Sequence, residues 1–128
     1  MRLLLDTHTA LWWMNADRRL TGAARRAIAN PGHTRLLSIA SAWEMAIKSS
    51  LERLKLQGPI DAFLEEQLPT NRIELLAITI DDLKTVETLP FHHRDPFDRM
   101  LVAQALRAEL TIVSADPVFE RYDVKRLW

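Results

Sequence analysis

The stretch Arg2-Leu3-Leu4-Leu5-Asp6 frames the reading of the whole chain. Three leucines in a row lack the alternation of a half-exposed strand and read as a short strand buried on both faces. The pattern returns near the other end, where Leu110-Thr111-Ile112-Val113 reads as a strand and Asp116 follows Val113 by three residues. Arg35-Leu36-Leu37-Ser38-Ile39 and Ile73 to Ile78 read as two further strands, and Val124 to Leu127 as an edge strand.

Helical patterns fill the gaps between these strands. Thr9 to Asn15 is apolar all round, which suits a helix packed on both sides or used in self-association. Thr21 caps a short helix from Gly22 to Ala29, closed by Asn30-Pro31-Gly32. Ser41 to Arg53 reads as a helix whose Trp43, Ile47, Leu51 and Leu54 form a stripe against the core. Ile60, Phe63, Leu64 and Leu68 mark the next helix, stopped near Pro69, and Thr79 caps another that runs through Leu89. The last helix opens in His92-His93-Arg94-Asp95-Pro96-Phe97-Asp98-Arg99 and ends around Glu109.

Strands alternating with helices predict an α/β fold of three layers. A mainly parallel sheet of about four to five short strands lies between helices, in one domain spanning residues 1–128. Ligands of such sheets sit beyond the carboxyl ends of the strands. Asp6 and Asp116 both fall there.

Composition narrows the function classes. The 128 residues are 48% hydrophobic and 27% charged, the balance of a globular protein. With no cysteine, disulfides and thiolate metal sites are excluded. Apolar runs fall far short of the ~20 residues that span a bilayer, and no signal peptide precedes Asp6, so the expected location is cytoplasmic. Net charge is zero, which argues against a protein that simply coats nucleic acid. Its distribution is uneven: residues 1–58 carry nine Lys/Arg against four Asp/Glu, and residues 59–98 carry three against nine. A basic half beside an acidic one suits a polyanionic substrate, and also suits two ordinary solvated faces.

The acids Asp6, Glu44, Asp98 and Asp116 are the candidate site, with Asp95 as a possible addition. Each has a structural alternative. Asp6 can cap the helix after it. Glu44 stands three residues after Ser41, as in a capping box. Asp95-Pro96 and Asp116-Pro117 both resemble an N-cap followed by proline at the first helical position. Capping explains each acid singly but not why several should converge on one sheet edge. Converging carboxylates repel unless a cation neutralises them, and such oxygen donors suit Mg²⁺ or Mn²⁺. His92 and His93 permit a rival, metal-free proton transfer involving an RNA 2′-hydroxyl. Arg94, Arg99 and Lys48 are candidate contacts to RNA phosphate or to a partner, though Lys48 equally fits an ion pair with Glu44 one turn before it. The four tryptophans read as core or dimer contacts rather than base-stacking platforms, with stacking left open for Trp43.

Four segments taken together carry a resemblance. Leu4-Leu5-Asp6-Thr7-His8, Ser41-Ala42-Trp43-Glu44-Met45-Ala46-Ile47-Lys48, Asp95-Pro96-Phe97-Asp98-Arg99 and Ser114-Ala115-Asp116-Pro117-Val118-Phe119 resemble, in order, the PIN-domain family, and within it the VapC-type toxins. The resemblance implies a Mg²⁺- or Mn²⁺-dependent endoribonuclease that is usually dimeric and is neutralised by a small antitoxin. It implies Asp6 and Asp98 as direct metal ligands, with Glu44 and Asp116 completing the site. Ser114 stands where many relatives have threonine and keeps the hydroxyl. The alternative is a catalytically silent PIN-like module that binds nucleic acid or a partner protein.

Overall fold

Every expected strand forms in the computed structural model, which describes residues 1–128. The strands are β1 (Arg2–Leu5), β2 (Thr34–Ser38), β3 (Ile73–Leu76), β4 (Thr111–Val113) and β5 (Lys125–Leu127). They pair in parallel throughout, in the order β3-β2-β1-β4-β5. Around them lie α1 (Thr7–Met14), α2 (Gly22–Ala29), α3 (Ile39–Ser50), α4 (Ile60–Thr70), α5 (Ile80–Thr88) and α6 (Pro96–Ala108), with a 3₁₀ turn at Pro117–Arg121.

The pleat of β1 splits its leucines between two cores. Leu3 and Leu5 pack with residues of α1 to α4, such as Leu11, Ile28, Met45 and Phe63. Leu4 packs on the opposite face with Leu101, Val102 and Ala105 of α6 and with Phe119. A parallel strand covered on both faces has no polar side to show, which is why β1 is an unbroken leucine run. The sheet is therefore the middle of three layers.

The strand order also fixes where a ligand can reach. The chain steps outward from β1 to β2 to β3, then returns with β4 to the other side of β1. The helices that follow β1 and β4 diverge to opposite faces and leave a crevice at this switch point. Asp6 and Asp116 flank it.

Two expectations need correction in α3. The helix starts at Ile39, because the Ser38 hydroxyl accepts from the Ala40 N–H at 3.0 Å and so acts as its N-cap. Ser41 lies inside the helix, so the capping box with Glu44 does not exist. The earlier start also sets which face turns inward: Ala40, Ala42 and Met45 are buried, while Trp43 is 60% and Leu51 57% exposed. Small residues let the helix approach its neighbours closely; of the expected stripe, Trp43 and Leu51 face outward, Ile47 is half-buried and Leu54 packs against the core. Elsewhere α1 begins two residues earlier than the pattern suggested, and α4 carries Pro69 within its last turn. Trp12, Trp13 and Trp128 pack partly buried against the α1–α4 core, whereas Trp43 meets only the edge of Phe97, at 5.3 Å.

These assignments predict opposite outcomes for two leucines. Leu5→Ala should destabilise the protein by roughly 2–5 kcal/mol in urea unfolding, and Leu51→Ala by about 0.5 kcal/mol or less.

Candidate active site

The crevice at the β1–β4 edge holds all five acids singled out in the sequence. Asp6, Glu44, Asp95, Asp98 and Asp116 line one pocket of about 240 Å³, together with Thr7, His8, Trp12, Lys48 and Ala115. A larger concavity of about 590 Å³ opens at the opposite edge of the sheet. Its charged lining is Arg2, Glu109, Asp123 and Lys125, a balanced set that places no demand on a cation. The acid-rich pocket is the one with chemistry to explain.

Four elements deliver the five acids, with Asp95 and Asp98 both from the start of α6. Asp6 ends β1 and caps α1: its Oδ1 accepts from the Thr9 N–H at 2.8 Å. Its Oδ2 accepts from the Ser114 hydroxyl, whose oxygen accepts in turn from the Asp116 N–H at 3.0 Å. This chain latches the ends of β1 and β4 together. Asp116 caps the 3₁₀ turn through the Val118 N–H at 2.9 Å. Asp95 caps α6 with Oδ1, which accepts from the Phe97 and Asp98 N–H groups. Glu44 projects from α3. Its Oε1 accepts from the Thr7 hydroxyl at 2.5 Å, and its Oε2 pairs with Lys48 Nζ at 2.8 Å.

Asp98 differs from the rest. It sits in the first turn of α6, and His93 Nε2 lies 3.4 Å from its Oδ2. Burial, and after it the negative charges of Asp95, Asp6, Glu44 and Asp116, push its carboxyl from the ordinary 3.8 up to about 7. Five acids thus face one cavity with Lys48 as the one basic side chain among its lining residues apart from His8.

The donor chemistry fits a hard divalent cation: carboxylate oxygens, no sulfur, and negative charge in excess. As they stand, no three His, Asp or Glu side chains are close enough to share one ion. Several of the oxygens are held instead by the caps and by the Thr7, Ser114 and Lys48 contacts. The residues match the group in donor chemistry.

Among the candidate basic contacts, Arg94 is exposed and Lys48 lines the pocket. Arg99 is corrected: it is buried and donates to the Leu89 and Pro90 carbonyls, out of reach of RNA or a partner. Thr7 and Ser114 were legible only as parts of motifs. A hydroxyl next to a strand-ending acid is the signal that could have marked Thr7 as a site residue.

A family model described as PIN domain matches residues 3–125. The chain belongs to the PIN-domain family. Ribonuclease VapC22 of Mycobacterium tuberculosis is 30% identical to this PIN domain over 115 residues, 89% of this chain and 86% of the relative. The fold is shared with VapBC2 from Rickettsia felis bound to a DNA fragment from its promoter, at a TM-score of 0.73 and 14% identity, with 98% of this chain and 97% of that one covered. It is shared also with DNA-bound VapBC from Salmonella typhimurium, at a TM-score of 0.71 and 16% identity over 98% and 96% of the two chains.

The raised Asp98 pKa has a signed consequence for the metal-free PIN domain. Between 3.8 and about 7 the folded state holds a proton that the unfolded state has released, so stability falls as pH rises through that window. Asp98→Asn removes the effect. In chelator, the variant should match wild type in thermal stability near pH 4 and exceed it at pH 8, with the gap opening between those values.

Proposed function

We propose that this PIN domain is a metal-dependent endoribonuclease that hydrolyses RNA phosphodiester bonds and is neutralised by a small antitoxin protein. One observation carries the reading: Asp6, Glu44, Asp98 and Asp116 converge on a single pocket, where burial, and after it the charges of Asp95, Asp6, Glu44 and Asp116, push Asp98 toward neutrality. Like charges gathered at such cost suit a site completed by a cation. The similarity to a ribonuclease across most of both chains supports RNA as substrate, and the shared fold with toxin–antitoxin complexes supports the antitoxin. A homodimer acting in the cytoplasm belongs to the same reading. Ile80 and Leu83, exposed together on α5, are consistent with a self-association surface. No helix is long and apolar enough to cross a membrane.

In this reading Asp6 and Asp98 hold the ion directly, and Glu44 and Asp116 complete its surroundings. Bound Mg²⁺ or Mn²⁺ would supply charge neutralisation and a water of lowered pKa. Asp98 would release its proton as the site fills, because the cation offsets the burial and the neighbouring negative charges that raised its pKa. Thr7 and Lys48 hold the two oxygens of Glu44 from opposite sides and so fix its direction. Lys48 also brings a positive charge to the rim, where a substrate phosphate would sit. Asp95 is the helix cap that adds to the negative field on Asp98.

Purified, antitoxin-free protein should cleave RNA with Mn²⁺ or Mg²⁺ and stop in excess chelator. Attack by water should leave 5′-phosphate and 3′-hydroxyl ends. Asp6→Asn and Asp98→Asn should each lower the rate by roughly 10²-fold or more, since a metal-held charge contributes several kcal/mol at the transition state. Cleavage that survives chelator and leaves 2′,3′-cyclic phosphate would move the chemistry to histidine. Variants that behave as wild type in cells would leave a binding module.

A further inference from the structure

Arg99, Tyr122 and His93 form a connected group behind Asp98 that the proposed chemistry does not use. The Arg99 guanidinium donates to the Leu89 carbonyl at 3.0 Å, to the Pro90 carbonyl at 2.8 Å and to the Tyr122 hydroxyl at 3.3 Å. A guanidinium has donors and no acceptor, so the last bond runs one way only: the phenol oxygen accepts. The phenol's own proton then has one available acceptor, His93 Nδ1 at 2.7 Å. Tyr122 is buried, and a buried hydroxyl proton left without an acceptor is unfavourable. Nδ1 therefore accepts, and the neutral ring carries its proton on Nε2.

That nitrogen faces the site. His93 Nε2 is buried, has no hydrogen-bond partner in the present geometry, and stands 3.4 Å from Asp98 Oδ2, about 0.5 Å beyond the usual N–H···O length of ~2.9 Å. With Asp98 ionised, the opposite tautomer would aim a nitrogen lone pair at a carboxylate oxygen, and it would leave the phenol proton unpaired. In that state both ends of the chain select the same tautomer.

We propose that His93 is a positioning residue: Arg99 and Tyr122 hold its ring as the Nε2–H tautomer, and that N–H, on closing to hydrogen-bond length, restrains the Asp98 carboxyl in the rotamer that faces the pocket. The protonated Nε2 has no lone pair to offer a metal, so His93 is neither a ligand nor, in this state, a base. Its role is the orientation of a ligand by a hydrogen bond from behind. The part concerning metal rests on the nuclease reading. The hydrogen-bond chain does not.

The test begins on metal-free protein. Two-bond proton–nitrogen NMR at about pH 8.5, where a histidine is ordinarily neutral, reads the tautomer directly. The His93 signals are assigned by their loss in His93→Gln. Nδ1 should appear unprotonated and Nε2 protonated, and Tyr122→Phe should shift the ring toward a tautomer mixture. A proton on Nδ1 in wild type overturns the proposal. Mn²⁺ affinity and RNA cleavage then test the consequence, with thermal unfolding run alongside. His93→Ala and His93→Asn should lower both by about 10–100-fold, and His93→Gln, whose amide N–H reaches the Nε2 position, should recover most of the loss. Rescue by Asn instead of Gln, or equal losses in all three that track a fallen melting temperature, would reduce His93 to a packing role and overturn the proposal. A wild-type protein that neither binds Mn²⁺ nor cuts RNA would overturn the nuclease reading, and the nitrogen shifts would then decide the hydrogen-bond chain alone.

Discussion

Repulsion among carboxylates at one point of the sheet is the constraint that the rest of the structure answers. Four elements bring acid side chains to the space beside β1 and β4, and most of those side chains are secured by local bonds before any ligand arrives. Asp6, Asp95 and Asp116 cap helical turns and so accept from backbone N–H groups where the helix dipole favours negative charge. Capping and function, which look like rival explanations for an acid, are the same arrangement seen from two sides. A cap fixes the direction of a carboxylate and lowers the cost of keeping it charged. Asp98 receives no such help from a donor in ordinary hydrogen-bonding geometry, and the electrostatic strain of the pocket collects there.

The topology explains why the acids come from such distant parts of the chain. A parallel sheet presents all its carboxyl ends on one side, and the return crossing from β3 to β4 opens the gap next to β1. The helix N-termini that follow strands point to that same side. Acids in first turns or at caps are thereby concentrated at one edge of the sheet with no long-range design beyond strand order. The Asp6–Ser114–Asp116 chain adds a cross-tie where the two strands end.

Much of this was legible in the sequence because the signals were local and strong. The unbroken leucines of β1, the Thr21 and Thr79 caps, and the Asp95-Pro96 start of α6 each name their structure through nearest-neighbour chemistry. The convergence of Asp6 and Asp116 followed from strand ends alone. What failed was the face of α3, where the sizes of Trp43 and Leu51 suggested burial while Ala40, Ala42 and Met45 made the contact. Periodicity shows that a helix has a side and says less about which side is pressed inward. Arg99 was misread for a related reason: an arginine beside an acid looks like a phosphate clamp, and nothing local reveals that three backbone carbonyls, at Leu89, Pro90 and His93, lie within its reach. The tie between His93 and Tyr122 spans 29 residues and has no sequence signal.

The central strand precedes every other element in chain order, and one of its two neighbours, β4, comes after all six helices. While translation proceeds, β1 can pair with β2, but the Ser114 hydroxyl and Asp116 are still missing from its open flank. A growing chain on the ribosome therefore carries an incomplete pocket until β4 and the turn after it have been made. For a fold shared with ribonucleases, that ordering keeps the acid set incomplete in any partly made chain.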